Sequence, residues 1–63
     1  MIEDTEFVET LRQSRLTVPE IACGVAASIP TVMQWMRGVN LPSDQGERDP
    51  VIRFLKKKRK TGL

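Results

Sequence analysis

Histidine and tyrosine are absent from this chain of 63 residues, and cysteine and tryptophan occur once each. Without histidine there is no imidazole for acid–base catalysis or metal ligation. A single cysteine makes no intrachain disulfide and no thiolate cage. No nucleophile–base pair is visible, so an enzyme is not expected, nor is a metal, a cofactor or a small-molecule ligand. Cys23 is expected to be a half-buried small hydrophobe on a helix rather than a reactive thiol. No apolar run approaches the roughly 20 residues of a membrane span, and the acidic N-terminal stretch is unlike a signal peptide. A soluble protein of the reducing cytoplasm is the expectation. The length allows one small domain, of a size that buries only about 60% of its unfolded surface.

Charge is plentiful but unevenly placed. The net charge is only +2. Residues 1–20 carry Glu3, Asp4, Glu6, Glu9 and Glu20 against Arg12 and Arg15, whereas residues 53–63 carry six bases and no acid. This polarity argues for an oriented contact with a polyanion better than the net charge does.

The most informative stretch is Leu16 to Pro42, LTVPEIACGVAASIPTVMQWMRGVNLP. Thr17 and Glu20 form a T-x-x-E helix start, and Pro19 falls in the first turn, where its missing N–H costs nothing. Ile21, Ala22 and Val25 keep helical spacing. A second start follows at Ser28, with Pro30 again in the first turn. Val32, Trp35 and Met36 then fall at i, i+3 and i+4, and Gly38 is placed as a C-terminal stop. Two short capped helices with about three residues between them predict a helix-turn-helix over residues 17–37.

The run E-I-A-x-x-V-A-A-S-x-x-T-V-x-x-W-x-R-G-x-x-L-P resembles the helix-turn-helix of Cro/CI-type (XRE-like) phage and bacterial repressors. It aligns without gaps over a little under half the chain. One position departs from the pattern: Ala26 stands at the turn where that family usually has glycine, and alanine resists a positive φ by about 1 kcal/mol. The resemblance implies an all-α, compact, lambda-repressor-like domain of four or five helices over residues 1–55, followed by a basic tail at residues 56–63.

Around this motif, Asp4 or Thr5 can cap a first helix running to about Ser14, with Phe7, Val8 and Leu11 as its apolar stripe. Phe7 and Leu11 should meet Ile21, Val25, Val32 and Trp35 in the core. The segment VNLPSDQGERDP is expected to be a polar loop, with Asp49-Pro50 opening the last helix. There Val51, Phe54 and Leu55 would face inward and Ile52 would lie off the stripe. Lys56, Lys57, Lys58, Arg59 and Lys60 should end that helix or leave it as a solvated tail.

On the third helix Pro30, Gln34 and Arg37 lie nearly opposite the core face, with Thr31 and Met33 at its margins. In a helix-turn-helix that exposed face enters the major groove of double-stranded DNA. Gln34 is the side chain there able to bond adenine N6 and N7 together, and Ile29, Thr31 or Met33 suit a thymine methyl. The family resemblance implies base contacts from Ser28, Pro30, Thr31 and Gln34 and phosphate contacts from Arg37 and Asn40. Thr17 is similarly placed at a helix N-terminus, and Lys56 to Lys60 offer sequence-independent phosphate contacts.

The expected function is a sequence-specific transcriptional repressor, a Cro-like autoregulator of a phage or plasmid operon, including the regulators that accompany anti-CRISPR genes. It would bind a pseudo-palindromic operator as a homodimer, with no room at this length for a ligand domain. Ile52, off the core stripe, offers a dimer surface. Other readings are an excisionase or MerR-like module, for which WMRGVNLP is suggestive but a β-hairpin wing has no sequence to build it, or an antitoxin. From a different class comes a protein-binding adaptor using Ile52 and Met33.

Overall fold

The computed structural model describes residues 1–60. Four helices make up the fold, α1 (Asp4–Gln13), α2 (Val18–Val25), α3 (Ile29–Met36) and α4 (Gln45–Lys58), with no strand among the described residues. The core is formed by Phe7, Leu11, Leu16, Ile21, Ala22, Val32, Trp35, Val51, Ile52 and Leu55. α2 approaches α3 and α4, and α1 approaches α4 and α3, while α3 makes no close approach to α4. α3 is thus held from one side by α1 and α2, which leaves its other face open.

The start signals of the helix pair work as their sequence suggests. The Thr17 hydroxyl accepts from the Glu20 N–H at 3.3 Å, and Glu20 Oε1 accepts from the Thr17 N–H at 2.9 Å, a complete capping box. Ser28 Oγ accepts from the Thr31 N–H at 3.3 Å. Between the helices Ala26 adopts φ 57°, ψ 40°, the left-handed conformation that the turn demands. Alanine therefore carries the cost of about 1 kcal/mol that glycine would avoid, and the turn keeps its shape. α3 ends as Gly38 predicts. At φ 75°, Gly38 donates to Trp35 O at 2.9 Å and Val39 donates to Gln34 O at 2.8 Å, a Schellman pair.

Other expectations need correction. α1 has Glu3 at its N-cap with no side-chain cap, so neither Asp4 nor Thr5 plays that part. Cys23 is exposed rather than half-buried. The last helix begins at Gln45, capped by the Asp44 side chain, and Pro50 lies inside it. Ile52 is 4% exposed and belongs to the core. One residue explains both differences in α4: Arg48 is buried and faces inward, so Arg48, Val51, Ile52 and Leu55 form an i, i+3, i+4, i+7 stripe. Phe54 lies beside that stripe and covers Gly24 of α2. A Cβ on Gly24 would stand 2.0 Å from Phe54 Cζ, so only glycine admits the ring there.

Arg48 ties α4 to the start of the chain. Its guanidinium donates to the Ile2 carbonyl at 2.8 Å, to the Pro42 carbonyl and to the Asp4 carboxylate. It also lies 5.8 Å from the centroid of the Phe7 ring. Gln45 adds a two-way amide clamp: Oε1 accepts from the Ile2 N–H at 2.8 Å and Nε2 donates to Ile2 O at 3.0 Å. The carbonyl bonds matter more than the ion pair, because the Asp4 side chain is 73% exposed and water screens it. We predict that Arg48→Met, which leaves the Pro42 carbonyl without its donor and the Ile2 carbonyl with Gln45 alone, costs about 2–3 kcal/mol. Asp4→Asn should cost no more than about 1 kcal/mol. Urea denaturation of the two variants checks the order; equal destabilisation would make the ion pair the dominant interaction.

Candidate nucleic-acid interface

The open face of α3 carries Pro30, Met33 and Gln34, all exposed, with Arg37 just past its end. Ile29 and Met33 are each 46% exposed and, four residues apart, lie on one side of the helix. Trp35 is only 7% exposed and meets Phe7 edge-on, with ring centroids 5.5 Å apart and planes at 78°. It belongs to the core and holds α3 from behind. Arg12 of α1 donates to Met36 O at 3.1 Å and so supports the C-terminal end of the same helix. Sequence spacing gives no sign of that bond, because Arg12 is exposed and lies in a different helix.

The polar residues of this face are bonded to one another. Ser28 Oγ and Thr31 Oγ1 are 2.6 Å apart. Whichever hydroxyl donates, one O–H remains to point elsewhere. Gln34 Oε1 accepts from Asn40 Nδ2 at 3.1 Å. Arg37 and Asn40 are exposed in the segment that leaves α3. The structure thus brings Ser28 to Thr31 and Gln34 to Asn40, while Pro30 and Met33 stand alone on the surface.

At the N-terminus of α2, Thr17 and Glu20 use their N–H groups within the capping box and Pro19 has none. That leaves the Val18 N–H for an outside acceptor, so a phosphate at this end has one first-turn amide available. The basic end of α4 lies close by. Lys58 and Lys60 border a shallow concavity with Leu16, Pro19 and Glu20. Lys60 Nζ donates to Glu20 Oε1 at 3.1 Å, and the Lys60 N–H donates to Ser14 O at 2.8 Å. Lys56 and Arg59 border a small cleft with Thr10 and Gln13 of α1 instead. Lys56, Lys57 and Lys58 form the last helical turn, so the basic run begins as helix and Lys60 is docked on the α1–α2 junction.

Glu20 is the one acid drawn into this basic neighbourhood. The Thr17 backbone N–H first, and the Lys60 ammonium after it, hold its carboxyl below the ordinary glutamate range. Among the described residues there is no group of acids or cysteines arranged to hold a metal ion, and no helix is long and apolar enough to cross a membrane. No protein-family profile matches this chain, and no curated protein or solved structure is significantly similar to it.

A carboxyl whose pKa is lowered on folding stabilises the fold above its unfolded value, and that contribution is lost as pH falls through the folded value. Glu20→Gln keeps a capping-box side chain while removing the charge. The variant should therefore be less stable than the parent at neutral pH, and the difference should shrink as pH falls past the ordinary glutamate value of about 4.3 and vanish once the folded carboxyl is protonated. Denaturation midpoints across that fall in pH test it. A gap that persists after the carboxyl has been protonated would assign the effect to shape rather than charge.

Proposed function

We propose that this protein is a sequence-specific double-stranded DNA-binding repressor of the Cro-like type, the autoregulator of a phage or plasmid operon. The observation that carries the reading is the helix pair itself. α2 and α3 are joined by residues 26–28, and α3 has its buried side on α1 and α2 and the side that bears Pro30, Met33 and Gln34 open. A short rigid helix presented in this way fits the width of a major groove. The basic end of α4 supplies charge for phosphate contact. An anti-CRISPR-associated operon is one setting in which a small regulator of this kind would act.

In this reading Ser28, Pro30, Thr31, Met33 and Gln34 face base edges. Pro30 and Met33 carry no donor and Ser28 and Thr31 are bonded to each other, so recognition leans on apolar contact and DNA shape together with Gln34. Thr17, Arg37, Asn40 and Lys56 to Lys60 lie at the phosphate-facing margins. The connection from Gly38 to Asp44 carries no strand, so the hairpin wing that an excisionase or MerR-like reading needs is missing there. A two-fold dimer on a pseudo-palindrome is part of the proposal because one module covers a small site. It does not draw on Ile52, which is buried.

Gln34→Ala is expected to weaken operator binding by about 1–3 kcal/mol and to relax one base position, with non-specific affinity nearly unchanged. Titrations against operator and random duplex measure both. An equal fall in the two would remove Gln34 from base reading.

The basic run is tested by charge rather than by deletion, because removing the chain after Leu55 would also remove the last turn of α4 and the Lys60 hydrogen bonds. Replacing Lys56, Lys57 and Arg59 by glutamine should flatten the log–log salt dependence by about 0.9 for each phosphate left without its cation. Preference for operator over random DNA should be retained. An unchanged salt slope would make these residues a solubilising surface. Early elution from heparin would favour a protein-binding adaptor over the repressor.

A further inference from the structure

Gln34 is held from two directions by the segment that follows its own helix. Its backbone carbonyl accepts from the Val39 N–H at 2.8 Å, and its side-chain Oε1 accepts from Asn40 Nδ2 at 3.1 Å. Gly38, at φ 75°, turns the chain back over the end of α3. Asn40 then reaches Gln34 from a left-handed conformation of its own, φ 50°, which asparagine tolerates better than most residues. Two features of the exit, a glycine turn and a left-handed asparagine, thus converge on one exposed amide.

We propose that Asn40 is a positioning residue for base reading: it engages Gln34 Oε1, so that Gln34 presents its NH2 group and selects a base edge that bears a hydrogen-bond acceptor. The inference rests on the DNA-binding reading above and deepens it. A glutamine amide has one acceptor oxygen and one donor nitrogen, and a solvated one can offer either. With the oxygen turned toward Asn40, the outward group is a donor. In the major groove it suits guanine N7 and O6, thymine O4 or adenine N7, and is mismatched only to cytosine, whose edge offers the N4 donor. The two-bond adenine contact expected of a free glutamine gives way to this simpler preference. Asn40, with one of its two amide N–H groups committed to Gln34, acts on the base through Gln34 and keeps the second N–H for a flanking phosphate.

The test is selection of bound DNA from a random library by the full chain and by its variants. The parent should enrich an acceptor-bearing edge at one position of each half-site, the position that Gln34→Ala erases. Asn40→Gly keeps a residue at ease in the left-handed conformation while removing the amide, and should lose about tenfold of the preference at that position alone. In Asn40→Asp the carboxylate can only accept, so Gln34 turns its NH2 inward and its oxygen outward. Preference should then move to the cytosine N4 or adenine N6 donor, a change of sign that general loosening of the structure would not produce. The same base preferences in all three Asn40 forms would overturn the inference and leave the DNA reading standing, as would a loss spread evenly over the site. Recovery of no consensus by the parent would overturn the DNA reading and the inference with it.

Discussion

The ring of Phe7 is the contact on which the rest of the structure depends. It has no exposed surface, and it meets Trp35 of α3 on one side and the Arg48 guanidinium of α4 on another. Through Trp35 it backs the helix whose outer face is open. Through Arg48 it joins the end of the fold to its beginning, since the same guanidinium bonds the Ile2 and Pro42 carbonyls. A domain this small has little apolar area to spare, and a buried arginine with its nitrogens bonded serves as core filling as well as a polar tie.

The helix pair is legible in the sequence because its signals are local. Thr17 with Glu20, Ser28, the two first-turn prolines and Gly38 each act within one turn of their own position. The core follows from the spacing of Phe7, Leu11, Ile21, Val32 and Trp35. α4 is misread from its pattern because its anchor is charged. Apolar periodicity ignores Arg48, and without it Val51, Phe54 and Leu55 look like the inward row and Asp49-Pro50 looks like the start. Once Arg48 is counted, the row runs through Ile52 and the helix must begin earlier. Cys23 is misplaced for a related reason: residue type favours burial, but nothing in the sequence shows which side of so short a helix a neighbour covers.

The candidate site is legible as a surface and illegible as a network. Helical geometry places Pro30, Gln34 and Arg37 opposite the core, and they are exposed. Spacing does not reveal that Ser28 bonds Thr31, that Asn40 reaches back to Gln34, or that Lys60 folds onto Glu20. Most of these bonds depend on how the chain turns after a helix ends, which no local pattern records. The outcome narrows the surface: several groups that could face outward are already occupied, and the remaining donors are few.

The clasp at Ile2 bears on the order in which the protein comes apart. Gln45 and Arg48 bond to Ile2 and Asp4 across separations of 43 to 46 residues, whereas α2 and α3 close over residues 26–28. Closing a long loop costs more chain entropy than closing a short one, so contacts between the ends follow the local pair in assembly. Opening them also returns the most chain entropy. Opening of the clasp alone frees residues 1–3 from α4 while Phe7 and the α2–α3 pair stay in place, so the Ile2 amide exchanges with solvent sooner than those of the central helices.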